Sequence, residues 1–455
     1  MISFIGMIER ALKGPFSSEE DFDLNVFVPK LREVIKKYEI KYDPENPIPS
    51  DNDLADRIFQ AGLEFYANVG TYCTDTQRII KFTRAEIEEA LVTAPSAPVF
   101  GEGKDAKALV ARRPESDTPP WCFLGATGAI VSCGEIFLSL LEGYGLNPLA
   151  DSITIPTLTT LNGVQIRADS PLEILSGITT VTLAREGLRR AGRPGLSIMN
   201  CVSVGSDAAK IAGSQFGLRP SDGWLIASVS EMKVNFERLN EIAYVKSLGG
   251  HVNAVSSPML GGFCGGPEGA AVASVAYHIQ SILVFRGSCH DSSILHFKYS
   301  CNTGRDVLWA TSMTNQAISR NSHFPLLTCT VIASGPMTEM HFYENAAQVI
   351  TATVSGGSTE AGSAAKNVLM DHVTPMEPLF ASEVAHAVVG MKRNEANEIV
   401  NRLLRKYEND LDDPPKGKKF QECYNIGTLE PSREYTELYR KMKNELSDYG
   451  LKFKY

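Results

Sequence analysis

Residues 252–282 read VNAVSSPML, then GGFCGG, then PEGAAVASVAYHIQSI. The first run, apolar and rich in β-branched residues, predicts a strand over 252–260, and Pro267 with Glu268 opens a helix over 267–282. Between them Gly261, Gly262, Gly265 and Gly266 flank Phe263 and Cys264. Glycines there permit close backbone approach, and the helix N-terminus offers free amide donors to an anionic or carbonyl group. A tight strand-to-helix turn would use the same residues.

The same unit recurs on either side. Strands are expected at 153–158, 196–204, 224–229, 294–299 and 326–333, and helices at 171–191, 234–248, 305–318 and 337–353. Alternation of this kind means a parallel sheet with crossover helices, and so many units in about 250 residues close more economically into a barrel than into an open sheet. The expected fold is α/β, a TIM (β/α)8 barrel with N-terminal and C-terminal helical additions. A doubly wound sheet is the alternative, but no dinucleotide fingerprint sits at a first strand. In a barrel the glycine loop falls on the face where such enzymes do their chemistry.

Domain organisation follows from the change in pattern. Residues 1–120 are read as a helical segment, 121–376 as the barrel and 377–455 as a second helical segment. In the first, Ser50 and Asp51 can cap an apolar-striped helix that ends near Gly70, and Thr83 with Glu86 forms a capping-box pattern.

Composition excludes several classes. A net charge of −9 and a pI near 5.5 argue against nucleic acid, which needs clustered Lys and Arg. No stretch is long and apolar enough to span a bilayer, and the apolar start lacks the basic residues of a signal. Nine scattered cysteines without a C-x-x-C pair suggest neither a disulfide framework nor a zinc ribbon, so a reducing cytoplasm fits. His278, His290, His296 and His323 match no helical metal-binding spacing, so no metal is expected. Other glycine loops, at 101–104 and 355–358, lack P-loop spacing, and no G-x-S-x-G elbow occurs. Cys201, Cys264, Cys289, Cys301 and Cys329 fall in or near strand ends, where free cysteine usually acts as a small hydrophobe.

Several strings, read together, resemble the monomethylamine:corrinoid methyltransferase family of methanogens. They are Tyr72-Cys73-Thr74-Asp75-Thr76 with Arg78-Ile79, Ala191-Gly192-Arg193-Pro194-Gly195, the glycine loop, Gly335-Pro336 with Thr338-Glu339-Met340, and Phe420-Gln421-Glu422-Cys423-Tyr424. They keep the family's order and nearly its spacing from about residue 50 onward. The resemblance implies a barrel, usually oligomeric, that presents a methylated amine to the Co(I) corrinoid of a separate protein, with no tightly bound cofactor of its own. The family's signature pyrrolysine falls at Met199, its two flanking glutamates at Leu225 and Val255, and a nearby glutamine at Cys329.

These departures imply a pocket rebuilt without pyrrolysine. Met199, Leu225, Val255 and Cys329 are expected to converge at the C-terminal barrel face. Trp224 and Phe263 are candidates for an aromatic cage around a quaternary ammonium, which carries its own leaving group. Among polar residues that match the family, Glu231, Glu268, His290, Arg305 and Glu339, candidates for catalysis are Glu268, His290 and Glu339. The expected function is methyl transfer from a methylated amine to a corrinoid protein by a cytoplasmic homo-oligomer. Alternatives are a methylthiol or pterin donor, or a non-catalytic paralogue that binds a corrinoid protein.

Overall fold

The computed structural model describes residues 2–200, 204–361 and 369–454. Eight short parallel strands form a closed barrel in chain order. They are β1 (Cys122–Leu124), β2 (Ser152–Ile153), β3 (Ser197–Asn200), β4 (Gly223–Ala227), β5 (His251–Ser256), β6 (Cys289–Ser292), β7 (Leu326–Cys329) and β8 (Ser358–Ala361). The ring closes where Thr359, Glu360 and Ala361 of β8 pair with Cys122, Phe123 and Leu124 of β1.

Each strand is followed by a helix: α1 (Gly134–Leu146), α2 (Pro171–Arg190), α3 (Asp207–Gly217), α4 (Phe236–Ser247), α5 (Pro267–Leu283), α6 (Arg305–Asn321), α7 (Glu339–Val354) and α8 (Met376–Ala387). The fold is thus the expected (β/α)8 barrel. Crossover by a helix after every strand is what parallel pairing requires.

Two helices are buried all round, for which a barrel alone gives no reason. Every residue of α5 from Gly269 to Leu283 is buried, as is every residue of α7 from Met340 to Val354. Their sequences carry almost no charge, the pattern of a helix with no solvent face. The additions supply the cover. The N-terminal helix Asn52–Val69 lies across α5 and α6, and the C-terminal helix Arg393–Tyr407 lies on α7. Asp51 caps the first of these through the Leu54 amide, Gly70 ends it at φ 74°, and the Thr83–Glu86 capping box opens the next helix.

The N-terminal end of the barrel is plugged. Phe100, Leu109 and Trp121 pack with the inward side chains Phe123, Met199, Leu225, Cys289 and Leu327 in one apolar cluster. Trp121 also donates its indole N–H to Ser152 Oγ at 2.9 Å. The crossing segment is strapped down by buried Arg112, which donates to the carbonyls of Thr118, Thr353 and Gly357 at 2.9, 2.8 and 2.5 Å. Only the carboxyl ends of the strands are left for a site.

Some strands differ from expectation. The run at 294–299 is not in the barrel: Leu295–His296 pairs with Met259–Leu260 beyond the rim, and the barrel strand lies earlier, at Cys289–Ser292. Pro258 interrupts the run at 252–260, since proline gives no amide to the ladder. Only Ser152–Ile153 of the run at 153–158 joins the barrel, while Thr157–Leu158 pairs with Ile130–Val131. The expected strand at 196–204 runs into residues 201–203, outside the described residues.

Candidate active site

Side chains alternate along a strand, so register decides which of these residues meet. Leu225 sits level with Asn253, Val255 with Asp291, and Cys329 with Glu360. A cavity of about 220 Å³ opens at the carboxyl ends of the strands, and Leu225, Val255, Cys329, Thr127, Val331 and Glu360 are in its wall. Larger depressions exist, such as one of about 570 Å³ beside Lys41, Asp51 and Trp309, but they lie on the outer helices away from the strand ends. The barrel mouth is where a fold of this type places its chemistry.

Leu225, Val255 and Cys329 are therefore brought together. Met199 is fully buried and belongs to the apolar plug, which shares Leu225 with the cavity. Gly223 faces it across the β3–β4 ladder, and a Cβ there would meet Met199 Cγ at 2.8 Å. The thioether fills the barrel interior below the mouth.

Neither proposed cage residue reaches the cavity. Trp224 precedes Leu225, so alternation turns its ring outward, where its N–H donates to Ser214 Oγ on α3 at 3.1 Å. Phe263 is 43% exposed at the tip of the glycine loop, beside Leu24 and Leu31 of the N-terminal segment. Within that loop Gly261 donates its N–H to Gly265 O and Gly265 to Gly262 O, at 2.8 and 3.0 Å, so these amides serve the turn. Positive φ at Gly261 and Gly265, 89° and 67°, accounts for glycine there.

The three catalytic candidates are dispersed. His290 neighbours inward Asp291 and so points outward, with Nε2 2.8 Å from Ser256 Oγ and Nδ1 3.3 Å from His278 Nδ1. Burial lowers it to about 3, which leaves a neutral structural imidazole between sheet and helices. Glu268 accepts the Tyr42 N–H at 3.0 Å and ties α5 to the N-terminal segment. Glu339, at the start of α7, is partly exposed and pairs with Lys441. Of the other matched residues, Glu231 is buried and accepts from the Met259 amide and the Tyr277 hydroxyl at 3.0 and 2.9 Å. Arg305 makes two 3.0 Å bonds to Glu408 on the outer surface. Cys201 lies outside the described residues.

Sequence reading missed the polar groups that do face the cavity. Thr127 donates to Glu360 Oε1 at 2.8 Å and stands 2.8 Å from Thr154 Oγ1, which in turn accepts from Asn200 Nδ2 at 2.8 Å. A carboxylate only accepts and an amide nitrogen only donates, so every hydroxyl in this chain points the same way, toward Glu360.

Asp291 lies beside it, fully buried, with neither oxygen in a well-formed hydrogen bond; Asn253 Nδ2 is likewise unpartnered. Burial, and then the charge of Glu360, push the Asp291 carboxyl well above its usual range. Burial beside a second carboxyl group therefore favours the protonated form of Asp291, which can donate a hydrogen bond. Burial, followed by the neighbouring Glu360 and Asp291 carboxyl groups, also raises the Cys329 thiol, which keeps it from being a thiolate nucleophile. Among the described residues, no group of three or more His, Cys, Asp or Glu side chains is placed to hold a metal ion.

Barrel, plug and cavity together define a (β/α)8-barrel enzyme with a small site at the carboxyl ends of its strands. The chain belongs to the monomethylamine methyltransferase MtmB family, whose model it matches over residues 2–451. It is 31% identical over 457 residues to monomethylamine methyltransferase MtmB1 of Methanosarcina barkeri (strain Fusaro / DSM 804), covering 98% of this chain and 97% of that one. To MtmB of Methanosarcina mazei it is 32% identical over 454 residues, with the same coverage. The crystal structure of the Methanosarcina barkeri monomethylamine methyltransferase superposes with a TM-score of 0.95 at 30% identity, covering 99% of this chain and 98% of that one. The crystal structure of a hydroxylamine complex of MtmB matches equally well, also with a TM-score of 0.95. Membership over the whole chain makes the protein a methyltransferase, as the motifs implied. No helix among the described residues is long and apolar enough to cross a membrane.

Proposed function

We propose that the protein moves a methyl group from a small methylated ammonium ion to the cobalt of a corrinoid carried by a separate protein, and does so without pyrrolysine. The observation that carries this reading is the cavity itself, where Leu225, Val255 and Val331 offer an apolar wall and Glu360 a carboxylate. At about 220 Å³ it falls below the roughly 300–1,000 Å³ of pockets for drug-sized ligands, which suits a donor of a few heavy atoms.

A methyl group on a positively charged nitrogen leaves with the carbon–nitrogen pair retained by the amine, so the protein need only hold the donor in line and exclude water. That task suits a rigid, one-mouthed barrel. Met199, packed in the plug, would then be a structural residue. The corrinoid would come and go with its partner, and the chain would act as a cytoplasmic homo-oligomer with no tightly bound cofactor.

The test mixes the protein with a reduced corrinoid protein and a panel of methylamines, betaines, methylthiols and methylpterins, and follows Co(I) to methyl-Co(III) in the visible spectrum. Turnover of one or more methylated ammonium compounds is expected. Turnover of a thiol or pterin alone, or silence across the panel, would refute the proposal.

A further inference from the structure

The apolar wall does not explain why two carboxyl groups lie side by side within the barrel. A buried carboxylate costs several kcal/mol unless compensated, and like charges placed together add to that cost. Neither Asp291 oxygen nor the Asn253 amide nitrogen on the adjacent strand is in a well-formed hydrogen bond, which marks polar capacity that the packing satisfies only loosely. Positive charge is what this arrangement lacks. No Lys, Arg or His occurs among the described residues that line the cavity.

We infer that Glu360 is the cation anchor of the cavity, contacting the positive nitrogen of a monovalent methylated ammonium ion, and that Asp291 is a positioning residue that acts through Glu360. The inference rests on the proposed function and names what selects its donor. Geometry assigns the two parts. Glu360 lines the cavity, whereas Asp291 has no exposed surface and lies one pair of residues deeper, level with Leu327.

In its protonated form, which burial favours, Asp291 can donate to Glu360 from below while Thr127 donates from the side. One charge, held by two donors, is thereby aimed at the opening. A single negative charge neutralises a monocation and leaves a neutral molecule poorly matched, because it would leave the carboxylate desolvated and uncompensated. The methyl groups would face Leu225, Val255 and Val331.

The groups that face the pair are few, which makes the pH dependence readable. Cys329 on β7 and Cys289 on β6 are thiols raised by burial and neutral at working pH; Asn253, Leu327 and Phe123 do not titrate. A protonated carboxyl group no longer attracts a cation, so cation binding weakens in acid.

The experiment measures binding to the intact protein alone, by calorimetry or ligand-observed NMR, with tetramethylammonium chloride, methylammonium chloride and the neutral probe tert-butanol. Both cations should bind in competition and weaken as pH falls, while tert-butanol binds poorly and shows no pH dependence. Glu360→Gln, nearly the same size, should weaken the cations about 30-fold or more and leave tert-butanol unchanged. Asp291→Ala should weaken them too, and Asp291→Asn, which restores a donor toward Glu360, should recover most of the loss.

Cation binding that is equal in Glu360→Gln and the unmodified protein, or matched by tert-butanol, would overturn the inference. Because binding needs no corrinoid protein, the two readings fail separately. Cations bound through Glu360 with no methyl transferred would leave the anchor standing and remove the proposed function. Full-rate transfer by Glu360→Gln would do the reverse.

Discussion

His290 and Asp291 are adjacent in sequence and face opposite sides of β6, so a reading that counts chemistry-bearing residues without register picks the wrong one. Leu225, Val255 and Cys329 were legible because they were matched by position to a family with known site residues. Asp291 and Glu360 were not, since each sits in a four-residue strand, CHDS and STEA, whose polar residues hide any apolar alternation. The outward face of β6 has its own consequence for acid stability. His290 folds with its pKa lowered to about 3 from an ordinary 6.5, so the unfolded chain binds a proton there that the folded protein refuses. Stability from this residue is complete above pH 6.5 and lost as pH falls below it. His290→Gln should therefore flatten the fall in unfolding free energy between pH 6 and 4 by about 1.4 kcal/mol per pH unit, measured by urea titration. Equal slopes would mean that the imidazole is already charged in the fold.

Among the elements, helices were read more faithfully than strands. Caps and breakers at Asp51, Gly70, Thr83 and Glu86 act locally and stand at the positions the sequence indicated. Strands β1, β6 and β8 have lengths of three to four residues, and β6 and β8 turn the polar Asp291 and Glu360 inward, so only the ring around them defines them. The N-terminal helix Asn52–Val69 earned no role from its own stripe; its role comes from α5, which it seals. Contact there is close enough to test. A Cβ on Gly62 would come within 2.5 Å of Val275 Cβ and Cγ1. Gly62→Ala should cost about 1–3 kcal/mol by overpacking, despite the gain in helix propensity. Chemical denaturation measures it, and a neutral or stabilising result would show that the helix can shift off α5.

For the whole molecule, closure at one end makes the other end a site. Arg112 is nearly fully buried, and burial lowers its pKa to about 10, yet no carboxylate pairs with its guanidinium among the hydrogen bonds described; carbonyl oxygens do. Arg112→Ala would strip donors from the Thr353 and Gly357 carbonyls at the base of α7 and β8. The expected loss is about 2–6 kcal/mol of stability at roughly 1–3 kcal/mol for each of the two orphaned acceptors. Cation affinity should be unchanged wherever the variant is folded, as read by the same calorimetry. A selective loss of affinity at full stability would place the strap in the site.

The seam between β8 and β1 adds a consequence in time. Thr127 and Glu360, hydrogen-bonded to each other, are 233 residues apart, and β8 reaches β1 only when the ring is complete. A nascent chain that has emerged as far as β7 can already possess the apolar wall, but not the charge. The ligand's electrostatic partner thus arrives last, and a bound cation would act as a clasp on the finished ring, raising its resistance to opening by the logarithm of its concentration over its dissociation constant.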